Sequence, residues 1–384
     1  MQRSTDRILT THAGSLPRPP ELVALQTARF EGEEINDADL NDAAISATQA
    51  VVKKQIDVGL DVINNGEQAR ESFFTYVQHR MSGFAGTSHR PPFQDMIRYP
   101  DWIKLKIPGY AGGVSLAAAP QAQAPVHYEN EAPLREELQM FSEALSQHTG
   151  FTESFVTAPS PGIVAAAMED KYYNDLDAYI EALADALATE YSAIVAAGHV
   201  LQLDCPDLAM ERHTYFANNS DEEFVHFVDT VISAMDRAMS EVPKESVRMH
   251  VCWGNYNGPH DCDVPLATIL PSLTKADVGA LMISLANPRH AHEGRLLTSE
   301  ALPDDMLVIA GVIDTTTNYI EHPEVVADRI IAAADAIGDP TRVIAGTDCG
   351  FDTAAGFRDV AEDVAWAKLS ALAEGAALAS TRLF

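Results

Sequence analysis

Basic residues are scarce in this 384-residue chain: 26 Lys and Arg stand against 56 Asp and Glu, a formal net charge of −30, with no Lys/Arg cluster interrupting the balance. Such a surface repels phosphate backbones and anionic lipid, which excludes nucleic acid and a membrane face as partners. Cysteine is scarcer still. Four residues (Cys205, Cys252, Cys262, Cys349) are too few for a disulfide framework but leave metal or redox use open. No apolar run approaches the roughly 20 residues that span a bilayer, and the opening MQRSTDRILTTHAGS lacks a charged-then-apolar signal pattern. A soluble cytoplasmic protein is expected. Disorder is excluded as well, because 46% hydrophobic and 21% charged residues is ordinary globular usage around a large core.

What is present is a rhythm. Eight short β-branched or apolar runs, at 7–15, 59–67, 152–162, 198–207, 247–255, 279–287, 306–314 and 342–351, alternate with helical patterns. The helices are predicted at 35–58, 175–197, 221–239, 266–275, 323–337 and 357–380, from apolar residues at three-to-four spacing. Repeated βα units build a parallel sheet, and eight of them are the count of a closed (β/α)8 TIM barrel; a large doubly wound sheet gives a similar string. The α/β reading is therefore one barrel domain over 1–384, interrupted once. From 81 to 133 the chain is rich in Pro, Gly, Gln and aromatics, with no period sustained for long. A segment of this length is either a lid over a site or a surface insertion. As a lid over the barrel mouth it would present Phe93, Tyr99, Trp102 and Tyr110 as an apolar wall.

Barrel chemistry sits at the C-terminal strand ends. There the sequence places His12, Ser15 and Arg18 (first run), Asn64, Asn65 and Glu67 (second), Asp204 (fourth), His250 and Cys252 (fifth), Ser284 and Asn287 (sixth), Asp314 (seventh), and Asp348 and Cys349 (eighth). Any one of these also serves as an ordinary helix cap. His250-x-Cys252 is more specific, since residues two apart on a strand face the same side and can share an ion. If the barrel closes, Cys349 lies three strands round and reaches the same point. One His and two Cys with an open fourth position is a catalytic zinc pattern, and thiolates favour Zn2+ over magnesium or calcium. Zinc lowers the pKa of a bound thiol, so a substrate thiol can be held as a nucleophile at neutral pH.

The strand ends THAGSLPRP (11–19), GLDVINNGE (59–67), LQLDCPD (201–207), HVCWGN (250–255), LANPRH (285–290), GVID (311–314) and GTDCGF (346–351) resemble the catalytic barrel of cobalamin-independent methionine synthase. They resemble still more its short relatives, which include epoxyalkane:coenzyme M transferase. The resemblance implies that His250, Cys252 and Cys349 are zinc ligands and that Ser15, Glu67 and Asp204 bind the amino acid or thiol substrate. Three departures bear on the chemistry. Ser284 stands where the family carries a further Glu ligand, leaving a fourth ligand to Ser284 itself, water or an acid such as Glu293. Asp314 is followed by Thr315 and Thr316, where the family places its general-acid His two residues on. No Trp for a pterin occurs in PSPGIVAAAM (159–168).

The resulting expectation is methyl or alkyl transfer to a small-molecule thiol, from a methyl or epoxide electrophile, with Asp314 and His12 (or His290) as candidate catalytic groups. An amino-acid thiol would use Glu67 and Asp204 for its ammonium and Ser15 for its carboxylate; a sulfonate would need Arg18, Arg70 or Arg289. Cys205 and Cys262 are expected to be non-ligands. A zinc hydrolase or lyase using Asp314, Asp348 or Glu67 as base is the competing class, and a non-catalytic thiol- or metal-binding protein the third. Homo-oligomerisation is left open.

Overall fold

The computed structural model describes residues 1–106 and 113–384. Eight parallel strands follow one another in chain order around a ring: β1 (Leu9–Thr10), β2 (Val62–Ile63), β5 (Glu153–Pro159), β6 (Val200–Asp204), β7 (Val247–Val251), β8 (Ala280–Ser284), β9 (Leu307–Ile313) and β10 (Val343–Thr347). Strands β6 to β10 are buried along their whole length, and β8 and β9 read as near-continuous apolar runs because a parallel sheet under helices buries both faces. The ladder runs from β2 through β5 and on to β10 and β1. Between β1 and β2 the ring is closed by single bonds instead. Asp61 N–H donates to the Thr10 carbonyl (3.2 Å), Thr10 N–H donates to Asp61 Oδ2 (2.9 Å), and Thr11 Oγ1 donates to the Val62 carbonyl (3.0 Å). The fold is thus a TIM barrel, not a doubly wound sheet.

The six expected helices form, at Asp37–Asp57, Leu176–Ala196, Asp221–Ala238, Leu266–Leu273, Pro323–Ile337 and Glu362–Leu383. The last starts five residues later than expected, after the turn that carries Phe357. Helices Pro20–Phe30, Ala132–Ser146 and Pro161–Ala167 were not anticipated. Each has Pro in its first turn, where a missing N–H costs nothing; as a breaker signal it hides the helix start.

Segment 81–133 follows β2, so it leaves from the C-terminal end of the barrel. It is not aperiodic: β3 (Met81–Ala85) pairs antiparallel with β4 (Gln121–Tyr128), and two short helices, Gln94–Arg98 and Pro100–Lys106, lie between them. Pro125 is tolerated in β4 because the pairing shifts register between Ser82 and Phe84. Gly83 there sits at φ 96°, and a Cβ on it would meet the Pro125 carbonyl oxygen at 2.7 Å. Tyr110 falls outside the described residues. No helix among the described residues is long and apolar enough to cross a membrane.

Candidate metal and thiol site

Alternation along β7 turns Arg248, His250 and Cys252 to the barrel interior. Arg248 plugs the barrel below the site. It donates to Gln202 Oε1 (2.8 Å), Thr11 Oγ1 (3.1 Å) and the His12 carbonyl (2.9 Å), and lies 3.5 Å over the Phe155 ring. Above it, His250, Cys252 and Cys349 each offer one ligand atom, all within 4.8 Å of one another, and all three residues are buried. The Cys349 thiol is hydrogen-bonded to Cys252, an arrangement that holds Cys252 well below the ordinary thiol range and Cys349 well above it. Burial works against a charged His250, yet the Cys252 thiolate and Asp204 push it up to about 10. A bound cation would take the place of protons that these three groups share.

A tetrahedral ion with arms of about 2.0–2.3 Å spaces its ligands roughly 3.3–3.8 Å apart, so the trio needs only a small contraction to fit one. Imidazole Nδ1 of His250 faces Asp204 Oδ1 (3.1 Å) and Nε2 faces the Asp348 carbonyl (3.0 Å). These partners orient the ring. Ser284, at the end of β8, donates its hydroxyl to the same Asp348 carbonyl (2.8 Å) and hydrogen-bonds Cys349. Glu293 lies elsewhere: one oxygen accepts the Leu266 N–H (2.7 Å) and the other pairs with His290 (2.8 Å).

Glu67 and Gly14 form the second half of the site. Glu67 has φ 58°, a left-handed conformation costly for a residue with a Cβ. Its Oε1 accepts from Thr157 Oγ1 (3.0 Å), and Oε2 is buried without a hydrogen-bond partner. Gly14 gives the carboxylate room, since a Cβ there would lie 2.6 Å from Oε1. Burial, then the nearby Asp204 charge, push the Glu67 carboxyl up to about 7 against the pull of Arg70 and Arg18. Ser15, Glu67, Asp204, His250, Cys252 and Cys349 all border one cavity of about 450 Å³. Gly350 brings the last strand end against Ser15, whose Oγ lies 1.9 Å from the place a Gly350 Cβ would occupy.

Other residues singled out in the sequence have different surroundings. Arg18 is fully buried: Nε and Nη2 donate to the Arg70 carbonyl (3.2 and 2.9 Å), Nη2 also to that of Glu67 (3.1 Å), and Nη1 to that of Asp352. Its guanidinium ties together the loops after β1, β2 and β10 and does not border the cavity. Arg70 is likewise engaged by Glu137 (2.9 Å) and the Thr157 carbonyl (2.8 Å). Arg289 is exposed, donates to the His260 carbonyl (3.0 Å), and borders a separate cleft with Asp314. His12 uses both ring nitrogens, Nε2 with Gln55 Oε1 (2.8 Å) and Nδ1 accepting Gly14 N–H (3.2 Å), and burial lowers it to about 3. It is a neutral imidazole with no free proton. Asp314 accepts from Thr316 N–H (2.6 Å) and Oγ1 (2.9 Å) and borders a small recess with Ser284, Asp348 and Cys349. Asp348 anchors the β8 loop through the N–H groups of Leu285, Ala286 and Asn287 (2.9, 2.9 and 2.7 Å), while burial and Asp314 raise it to about 7. Cys205 is buried under the Leu203 carbonyl, and Cys262 groups with Asp95 and Asp261.

Three features went unread in the sequence. Tyr256, six residues after His250, stacks on Phe93 with ring centroids 4.9 Å apart. Glu137 and Glu190 hold Arg80 between them (2.9 Å to Glu190) beneath Tyr76. His213, His260 and His290 surround Asp263, at 3.4, 2.8 and 2.7 Å. The HxxD spacing of His260 and Asp263 was a visible signal; the other partners are far apart in the chain.

Comparison with known proteins agrees with this architecture. The family model described as "Cobalamin-independent synthase, Catalytic domain" matches residues 8–91. A methionine synthase of Sulfurisphaera tokodaii is 25% identical over 343 residues, 89% of this chain and 85% of that protein. One of Saccharolobus islandicus is 25% identical over 368 residues, 95% of this chain and 93% of its own length. In fold, a B12-independent methionine synthase from Shewanella sp. W3-18-1, solved in complex with selenomethionine, superposes with a TM-score of 0.74 at 22% identity, covering 98% of this chain and 99% of that one. Along nearly the whole chain, then, this single barrel is similar to methionine synthases in sequence and to a B12-independent methionine synthase in fold.

Proposed function

We propose that the protein is a zinc-dependent thiol methyltransferase: it takes a small amino-acid thiol such as homocysteine and methylates its sulfur from a donor other than folate. The observation that carries this reading is the meeting of His250, Cys252 and Cys349 at the edge of the cavity that Glu67 and Asp204 also border. Zinc, when bound, keeps a thiol in its thiolate form near neutral pH. His250 and the two cysteines hold the metal, with His250 oriented by Asp204. Glu67 and Asp204 receive the substrate ammonium, and Ser15 its carboxylate. Glu67 lacks a cationic side chain in direct contact and its Oε2 has no hydrogen-bond partner, so a ligand ammonium supplies the missing charge there, with Asp204, which pairs with His250, beside it.

Arg18 and Ser284 act as positioning residues in this scheme, Arg18 on the loop that carries Glu67 and Ser284 on Cys349. Asp314 holds its loop through Thr316. Segment 81–133 serves as the cover, because Pro91, Phe93, Met96, Trp102 and Leu116 line the cavity and keep competing water from the thiolate. The folate reaction needs a proton for its leaving amine. Thr316, a weak acid already committed to Asp314, does not supply one, nor does His12. A sulfonate thiol such as coenzyme M is disfavoured because Arg18 and Arg70 do not border the cavity and are paired within the protein, Arg18 with Asp352 and Arg70 with Glu137 and Glu190.

The test incubates zinc-loaded protein with homocysteine and, separately, methyl-tetrahydrofolate, methylcobalamin, a methyl sulfonium, and coenzyme M with a short epoxide. Thioether from a non-folate methyl donor is expected. Inactivity with every thiol and donor overturns the proposal in favour of a zinc hydrolase.

A further inference from the structure

Resting on that reading, we infer that the methyl donor is a small sulfonium ion, seated against the aromatic wall of the cavity. The wall is continuous. Phe93 stacks on Tyr256 at 4.9 Å and 26°, and Trp102 meets the same Tyr256 at 6.0 Å and 49°, so three aromatic rings gather on one side; Tyr256, itself stacked on His260 at 4.2 Å, holds the Phe93 and Trp102 rings in place. Cations bind such faces well when water is excluded. The cavity's charges point the same way. Arg90, which lines it, is neutralised by an ion pair with buried Glu211. Among the described lining residues the remaining ionisable groups are Glu67, Asp204, Tyr256 and the metal-site trio, so the space carries no free cation to hold an anionic donor.

Chemistry separates a sulfonium from the other donors. The thiolate attacks the methyl carbon, a new S–CH3 bond forms, the C–S⁺ bond breaks, and its electron pair leaves on a neutral sulfide. No proton is required. That matters because the proton donors nearby are committed: Tyr256 O–H goes to Asp95 Oδ2 (2.7 Å), and Thr316 Oγ1 to Asp314 (2.9 Å). Glu67 is occupied by the thiol's ammonium in the reading above. The reaction also destroys charge, an anion and a cation giving two neutral products, and an apolar enclosure accelerates such a step by destabilising the separated ions. Displacement from a neutral amine only moves the negative charge from sulfur to a poor amide leaving group, which gains nothing from the enclosure and needs a proton.

The experiment compares (2-hydroxyethyl)dimethylsulfonium with its uncharged isostere isoamyl alcohol, by calorimetric binding to the zinc-loaded full chain. It then measures thioether formation from homocysteine with the sulfonium, with methylcobalamin and with methyl-tetrahydrofolate. The expected result is binding of the cation about tenfold tighter than the alcohol, and methylation by the sulfonium. Trp102→Leu and Phe93→Leu, which keep apolar bulk but remove a π-face, should each shrink the cation's advantage and leave alcohol binding within about twofold. Equal binding of cation and alcohol overturns the inference. So does thioether formation from methylcobalamin or folate but not from the sulfonium, a result that leaves the thiol-transfer reading intact. No thioether from any donor instead removes that reading and this inference together.

Discussion

Glu67→Gln should make the metal-free protein more stable at pH 8 and leave it nearly unchanged at pH 4. The carboxyl titrates at about 7 in the fold against an ordinary 4.5, so the folded state binds more protons than the unfolded chain between those values. Stability therefore falls as pH rises from 4.5 towards 7, and the full cost is present above that. The difference between about 7 and 4.5, at 1.36 kcal/mol per pH unit, corresponds to roughly 3 kcal/mol. Gln keeps an acceptor for Thr157 and places a donor where Oε2 has none, without the buried charge. With an unfolding entropy of about 2.1 cal/mol/K per residue, 384 residues give near 0.8 kcal/mol/K, so roughly 3 kcal/mol is a rise of about 4 °C in Tm at pH 8. Thermal scans of both proteins across pH 4 to 8 measure it. Curves that run parallel, with the same gap at every pH, would refute the account of Glu67 as an uncompensated buried acid.

Four further outcomes follow from the same geometry. Cys252→Ser and Cys349→Ser should each lower zinc affinity at least about tenfold, while Cys205→Ser and Cys262→Ser keep one zinc per chain by plasma mass spectrometry; loss of zinc in either of the latter would reassign the ligands. Arg80→Ala leaves buried Glu137 and Glu190 with Arg70 as their one remaining cation, and denaturant titration should show a loss of about 3–5 kcal/mol. Gly14→Ala drives a methyl into Glu67 Oε1 and should cost about 1–3 kcal/mol and raise KM for the thiol more than it lowers kcat. His12→Gln should leave the pH dependence of turnover between pH 5 and 9 superimposable on that of the parent, because His12 stays neutral throughout that range; a lost ionisation would restore it as a proton donor.

Much of this was legible in the sequence, for identifiable reasons. Strands β8 and β9 are apolar almost throughout, so a run such as LMIS or LVIAGVI declares itself without any partner being known. His250 and Cys252 share a side by strand geometry alone, and Cys349 ends the strand that chain order puts across the ring. What stayed hidden depends on partners distant in the chain. Arg18 reads as a free cation at a strand end, yet Glu67, Arg70 and Asp352 take its donors. His12 reads as a candidate acid, but Gln55, on the helix Asp37–Asp57, and the Gly14 N–H use both its nitrogens. The Pro-rich stretch hid a hairpin because its strand contains Pro125 at a register shift, a position local propensity disfavours.

Zinc-edge X-ray absorption on the purified, zinc-loaded chain tests the central claim most directly. The account predicts two sulfurs at about 2.3 Å and one nitrogen near 2.0–2.1 Å in the protein alone, with a third sulfur appearing when homocysteine is added. A chain that retains no zinc, or whose sulfur shell is unchanged by the thiol, would contradict it.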